Sequence, residues 1–249
     1  MQAQQAMNEE ITESKRRLRK RTLVAALLIL IAIPLTIGMG LWLGDRQYYF
    51  ISLLIIIYTM IPFFMVFEKR KPQAREIVVI AVLSTIAVAG RAAFIFLPFF
   101  KPLVAIVIIT GIAFGGEAGF LCGAVSGFVS NFIFGQGPWT PWQMFAYGIA
   151  GFLAGVLYQK GILKRKLLPL CVFGGVVVMT VVGPLLDMCS LFTMTSVVNG
   201  ENAVALLLSG LPVNAVHATA TVIFLLLLSR PMLDKLDRIK LKYGMLQDE

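Results

Sequence analysis

Long apolar segments are the feature that most limits what this chain can fold into. They cover residues 22–43, 49–67, 77–97, 102–115, 118–134, 142–158, 167–188 and 203–229. Hydrophobic residues make up 58% of the 249 residues, far more than in an ordinary soluble domain. Most segments reach the ~20 residues that a helix needs to cross a hydrocarbon core. The sequence therefore predicts an all-α polytopic membrane protein, in which the short segment 102–115 is tilted, broken or shielded by its neighbours.

The basic residues predict how these segments are oriented. We place the N-terminus inside the cell and let successive loops alternate between the two sides of the membrane. Every Lys and Arg then lies on the inside, except Arg46 and Lys101 in outside loops and Arg91 within a span. This bias follows the positive-inside rule and predicts eight spans with both ends cytoplasmic. The polar and basic start lacks the features of a cleaved secretory signal. The net charge of +9 thus reflects topology, with affinity for anionic lipid headgroups and no need for nucleic acid.

The chain changes character near residue 76. We predict a cytoplasmic basic N-terminus over 1–21 and an accessory transmembrane hairpin with a basic loop over 22–76. Residues 77–229 form a six-span unit that carries the small and ionisable residues. The tail 230–249 is amphipathic, and either lies on the inner membrane surface, contacts a cytoplasmic partner or is solvated.

Polar side chains at membrane depth are the candidates for function, because they are costly in lipid and usually face a cavity or a partner. Arg91 and Asp187 carry opposite charges in the predicted outer half, where they either pair with each other or face a site open to the outside. The remaining polar candidates in that half are Asn131, Asn214 and His217.

The segment 134–144 follows Asn131 and combines glycines, prolines and aromatic residues. We interpret it as a rigid loop, either an interfacial anchor or a lid over a small-molecule site. Its side chains suit a planar ligand because indole rings stack and the polar groups give direction. The residues concerned are Trp139, Thr140, Trp142 and Gln143.

Small residues recur at helical spacing on several spans and favour close helix contact in lipid. The glycines of the central spans, such as Gly111, Gly119 and Gly151, are best explained by packing inside the bundle. One face of the first span of the six-span unit could equally dock on a separate membrane subunit. That face consists of Ala81, Thr85, Ala89 and Ala93.

Several motifs are absent from the sequence. It has no GxxxxGK[ST] loop, so we expect no ATP hydrolysis by the chain itself. It has no HExxH motif and no cysteine cluster, which predicts neither a metal site nor an intrinsic cofactor. Cys122, Cys171 and Cys189 lie in or beside apolar spans and are interpreted as buried structural thiols.

The six-span unit resembles the substrate-binding S components of energy-coupling factor (ECF) vitamin transporters. The resemblance rests on the small-residue first span, the glycine series from Gly111 to Gly123, and above all the segment 135–144 with Gly148, Gly151 and Gly155 after it. It implies a six-helix bundle in a prokaryotic plasma membrane, preceded here by an extra hairpin. It also implies docking on a membrane T component through Ala81, Ala89 and Ala93, and two partner ATPases that use ATP.

The resemblance implies a binding subunit rather than an enzyme, with no catalytic residues. Substrate is expected to enter from outside between 135–143, 98–102 and 189–202, with a cobalamin-related compound the leading candidate and riboflavin or a queuosine precursor as alternatives. An ion-coupled secondary transporter is a second hypothesis. An intramembrane serine protease is a third, because Ser126 and His217 lie on different spans and rhomboid proteases use such a dyad.

Overall fold

The structure, a computed structural model, describes residues 48–69, 73–195 and 198–244. These described residues form seven helices and no strand, which confirms the all-α prediction. The helices are α1 Tyr48–Lys69, α2 Ala74–Ala93, α3 Leu103–Phe114, α4 Gly116–Phe134, α5 Trp139–Gln159, α6 Leu167–Met194 and α7 Gly200–Tyr243. The predicted N-terminus 1–21 and first span 22–43 lie outside the described residues.

Four of these helices are long and apolar enough to cross a membrane, namely α2, α4, α6 and α7. Two further apolar stretches, Ile56–Met65 in α1 and Leu103–Phe114, are shorter. The composition therefore supports a multi-pass membrane protein. The count of eight spans and the cytoplasmic position of both ends stay predictions.

The short helix α3 is the centre of the bundle. All 12 of its residues are buried, and it packs against α2, α4, α5, α6 and α7. A helix of this length rises only ~18 Å, less than the ~30 Å of a hydrocarbon core. Of the three outcomes predicted for this segment, shielding by neighbouring helices is thus the one observed.

Glycines allow α3, α4 and α5 to approach each other at backbone distance. A Cβ atom added to Gly111 would lie 2.1 Å from the carbonyl oxygen of Gly151, and one on Gly155 would lie 2.3 Å from the amide nitrogen of Gly116. Real Cβ atoms do not tolerate such contacts, because interiors are close-packed. The glycine series therefore serves packing within the bundle, as the sequence indicates.

Helix α1, the second half of the accessory hairpin, packs on α4 and α5 through aromatic rings. The Phe63 ring stacks on Phe120 with centroids 4.1 Å apart and planes 8° from parallel. Phe145 and Phe152 meet the same ring edge-on, at 6.3 and 4.9 Å. Helix α1 is thereby attached to the bundle by stacked and edge-to-face contacts, which are the preferred aromatic geometries.

Helix α6 contains a π-helical turn over Val178–Val182 between its α-helical parts Leu167–Val177 and Gly183–Met194. A π turn holds one residue more than an α turn, so it shifts the helical register. The helix ends at Met194 rather than at the predicted residue 188, since no proline or glycine follows Asp187 until Gly200.

Helix α7 starts at an Asn199 cap, whose side chain accepts a hydrogen bond from the Asn202 amide at 2.8 Å. It then runs without a break to Tyr243 and contains Pro231. The amphipathic segment predicted from residue 230 is thus helical and continues the helix of the last span, and its role as a separate cytoplasmic tail stays a prediction. Helix α2 ends at Ala93, four residues before its predicted end, ahead of the turns that precede Pro98.

Candidate functional site

The segment predicted as a loop is mostly helical. Only Gly135–Pro138 joins α4 to α5, and Trp139 is the first residue of α5. Pro138 is the N-cap and Pro141 lies in the first turn. The amides of the first turn have no acceptor within a helix, so a proline there costs no hydrogen bond. The prolines that indicated a loop thus begin a helix, and Trp139, Thr140, Trp142 and Gln143 project from its first turns.

A buried hydrogen-bond network joins the ends of α2, α4 and α5. The Arg91 guanidinium, 9% exposed, donates to the Ser130 hydroxyl and, at 3.0 Å, to the Asn131 side-chain oxygen. The Asn131 amide nitrogen donates to Thr140 and Gln143, each at 2.9 Å. Asn131 and Thr140 are therefore satisfied within the protein, and they position α5 against α4 and α2.

Two cations lie near one aromatic ring at this end of the bundle. The guanidinium carbon of Arg91 is 4.4 Å from the Phe134 ring centroid, and the Lys101 amine is 5.6 Å from it. Lys101 also donates a hydrogen bond to the Phe94 carbonyl. Burial, and secondarily the charge of Arg91, lowers the pKa of the Lys101 amine below its usual range. The positive charge favours a ligand with electron-rich oxygens over a cation.

Asp187 and Asn214 form a second polar contact, between α6 and α7. The Asn214 amide nitrogen donates to the Asp187 carboxylate at 2.8 Å. Glycines make room for it: a Cβ on Gly210 would lie 2.5 Å from that carboxylate, and one on Gly183 would lie 2.4 Å from the Asn214 side chain. Arg91 and Asp187 thus form hydrogen bonds with other residues and not with each other. The reason is that the helix face with Arg91 packs against α4, whereas the helix face with Asp187 packs against α7.

Tyr147 lies between Arg91 and His217, and the sequence analysis did not identify it. Its ring lies 6.0 Å from the Arg91 guanidinium carbon and meets the His217 ring edge-on at 6.3 Å. Both rings are buried, at 6% and 8% exposure. Neither side chain has a hydrogen-bond partner within the described ranges. Tyr147 lies one helical turn after Gln143, a spacing that identifies it once residue 139 is taken as the start of a helix.

The two tryptophans have different surroundings. Trp142 is buried and stacks on Phe192 at 5.9 Å, next to Ile56 and Cys189. It therefore packs α5 against α1 and α6, and its faces are not open to a ligand in this conformation. Trp139 is 39% exposed and its indole nitrogen donates to the Gly135 carbonyl at 3.2 Å.

The predicted docking face of α2 lies on the surface. Ala81, Thr85, Ala89 and Ala93 are all exposed, and the Thr85 hydroxyl donates to the Ala81 carbonyl at 2.9 Å. The hydroxyl is thereby satisfied inside its own helix, so that this position presents mainly a methyl group. The face is available for helix contact.

The residues of the protease hypothesis are not joined in a dyad. Ser126 is fully buried, and its hydroxyl donates to the Ser84 carbonyl at 3.5 Å, whereas His217 contacts Tyr147. The described residues contain no group of three or more His, Cys, Asp or Glu suited to a metal ion. The arrangement thus has the parts of a binding site, without a nucleophile and base in contact.

Comparison with known families gives a match over the six-span unit. A family model described as ECF-type riboflavin transporter, S component, matches residues 71–233. The matched range contains every predicted site residue and both polar groups described above. No solved structure matches the chain.

Proposed function

Because the chain belongs to the ECF-type riboflavin transporter S component family, we propose that it captures riboflavin from outside the cell for uptake driven by partner subunits. The family is a substrate-binding component of a transporter rather than an enzyme. The chain is accordingly a multi-pass membrane protein that takes part in transport.

The observation that carries the proposal is the pair Tyr147 and His217 beside Arg91, whose rings are buried and whose polar atoms have no hydrogen-bond partner among the described residues. Polar side chains at membrane depth usually face a cavity or a partner, so we expect a ligand to complete these hydrogen bonds. Riboflavin offers carbonyl and ring-nitrogen acceptors, an imide donor and a hydroxylated chain. Gln143 lies one turn before Tyr147 on α5, and Asp187 on α6 contacts Asn214, which precedes His217 on α7. These two side chains would complete the polar contacts.

The proposed ligand differs from the leading candidate of the sequence analysis. The comparison supports an S component whose family is named for riboflavin, and it gives no support to a cobalamin-related substrate. A planar three-ring system suits a site walled by Tyr147, Phe134 and His217, because aromatic faces stack on planar heterocycles.

The proposed assembly includes a membrane T component and two ATPases, which would use ATP while this chain needs no cofactor. The exposed small face of α2 supports this arrangement, because small residues let another helix approach closely in lipid. We place the protein in the plasma membrane of a prokaryote with both ends cytoplasmic, in agreement with the positive-inside bias.

Ligand binding is tested by riboflavin fluorescence, which is quenched on stacking with aromatic residues. The full-length protein in detergent should quench one equivalent of riboflavin, and excess cobalamin should not relieve the quenching. Tyr147→Phe, which loses one hydrogen bond, should weaken binding by about three- to tenfold. Tyr158→Phe, on the same helix, is the matched control and should bind as the wild type does. Absence of quenching, or full relief of the quenching by excess cobalamin, would exclude the assignment.

Energy coupling is tested separately, by uptake of labelled riboflavin into cells with and without the T component and ATPases. Accumulation is expected only with the partners. An ion-coupled secondary transporter would instead accumulate riboflavin without them and lose activity with a protonophore.

A further inference from the structure

A cavity of about 350 Å³ lies at the basic end of the bundle, where the chain enters α6 beside α7. It is at the opposite end of these helices from Asp187 and Asn214, and the proposed transport function does not involve it. Its lining includes Arg165, Lys166, Leu167, Ser229, Arg230 and Asp234.

Ser229 is the most unusual part of this lining. It is 1% exposed, and its hydroxyl has no hydrogen-bond partner in the part of the chain that the structure describes. Buried helical hydroxyls commonly donate to the carbonyl one turn earlier, as Thr221 does to His217 at 2.9 Å. The Ser229 hydroxyl does not, so it remains available to a ligand in the cavity.

The cavity also carries positive charge that the protein does not neutralise. Arg165 is held by Asp237 at 2.5 Å and by Asp234 at 3.5 Å. Lys166 and Arg230, in contrast, have no carboxylate partner within 48–69, 73–195 and 198–244. Two basic side chains that line one cavity attract anions, and guanidinium groups bind phosphate oxygens in a planar, two-pronged geometry.

Backbone donors at the start of α6 add to this charge. Lys166 is the N-cap and makes no side-chain capping bond. The amides of Leu167 and Leu168 have no acceptor among the described residues, and residue 169 is a proline without an N–H group. A helix N-terminus with free amides favours an anionic oxygen, and Leu167 lines the cavity.

We propose that this cavity binds the phosphate group of an anionic phospholipid headgroup. Free phosphate shares this chemistry, but the surroundings favour a lipid. Leu168, Val172 and Val176 follow each other at one-turn spacing and are 74%, 56% and 53% exposed. They form an apolar stripe on α6 that starts at the cavity and runs away from the basic end, where an acyl chain can lie.

Native mass spectrometry of the full-length protein in a mild detergent tests the proposal. The probes are phosphatidylglycerol and phosphatidylcholine with identical acyl chains, with inorganic phosphate as a competitor. The wild type should retain one phosphatidylglycerol molecule about tenfold more tightly than phosphatidylcholine, because only the former keeps a net negative headgroup. Inorganic phosphate should displace it only at a large excess.

Three variants locate the site. Arg230→Gln should weaken phosphatidylglycerol binding by about tenfold and Ser229→Ala by about threefold. Ser229→Ala removes a hydroxyl that has no partner, so the lipid-free protein should unfold at an unchanged or higher temperature, which separates lost binding from lost folding. Lys235→Gln removes the same charge from the next turn, outside the cavity, and should leave binding unchanged.

Three results would overturn the proposal. Equal retention of the two lipids would mean that the cavity does not recognise the anionic headgroup. Equal losses in Arg230→Gln and Lys235→Gln would mean that the basic end attracts lipid by diffuse charge alone. Displacement of bound lipid by equimolar inorganic phosphate would assign the cavity to free phosphate instead. The riboflavin measurement is unaffected by any of these outcomes, so the two proposals fail independently.

Discussion

Replacing Gly111 by alanine tests the close packing of α3, α4 and α5. The added Cβ atom would lie 2.1 Å from the Gly151 carbonyl oxygen and 3.2 Å from the Gly155 amide nitrogen. Both are backbone atoms of α5, so no side chain can rotate away. The two helices must separate by roughly 1 Å before this contact reaches van der Waals distance.

The magnitude follows from two opposing effects. Overpacking against a rigid neighbour costs about 3 kcal/mol of unfolding free energy, and alanine returns about 1 kcal/mol through its better helix propensity. The net loss of about 2 kcal/mol corresponds to a fall in Tm of about 4–8 °C for a chain of this size. Thermal unfolding of the purified protein, followed by intrinsic fluorescence in detergent, measures it.

Gly175→Ala is the matched control. Gly175 also lies inside a helix, but its added Cβ would meet only the Val222 side chain, at 3.4 Å. The propensity gain should therefore dominate and raise Tm by about 2–4 °C. A Tm of Gly111→Ala at or above that of the wild type would refute the packing argument, as would an equal fall in both variants.

Three further predictions follow from the packing, the polar network and the exposed face. Phe63→Ala should lower the unfolding free energy by about 3–5 kcal/mol through loss of the ring stacked on Phe120, measured as Tm; an unchanged Tm would show that α1 contributes nothing to bundle stability. Asn131→Leu removes a hydrogen-bond acceptor from buried Arg91, so it should lower the unfolding free energy by about 1.5–3 kcal/mol and weaken riboflavin binding. An unchanged Tm together with an unchanged riboflavin affinity in the fluorescence titration would contradict the network. Ala89→Leu should leave riboflavin binding intact but reduce co-purification of the T component, and full recovery of the complex would remove this face from the interface.

Hydropathy predicted most of the helices because each residue contributes to it independently of its neighbours in space. Shielding of 102–115 was one of three outcomes predicted from its short length, and the sequence did not choose among them. The start of α5 was not predicted. Pro138 and Pro141 have the same local effect in a loop and in a first helical turn, and only the position of Trp139 relative to α4 distinguishes the two.

The hydrogen-bond partners of the polar residues could not be predicted from the sequence either. Arg91 and Asp187 have complementary charges, but charge does not say which helix faces meet, and Ser130 and Asn214 proved to be their neighbours. Tyr147 was missed because a tyrosine among glycines resembles ordinary bundle packing. Its role depends on His217, which is far away along the chain.

The π-helical turn Val178–Val182 divides α6 into two α-helical segments. The side chains of the second segment are rotated about the helix axis relative to their positions in one continuous α-helix. Rewinding it to regular α-helix with all of its residues kept would turn everything beyond by about 100°. Asp187 would then leave Asn214, while Leu170 and Gly174 would keep their contacts. Deletion of one residue together with the π turn would instead leave the later residues in phase, because the turn holds that one extra residue. A change of helix type at this turn can therefore reorient the end of α6 that carries Asp187 without disturbing the end that begins at Leu167.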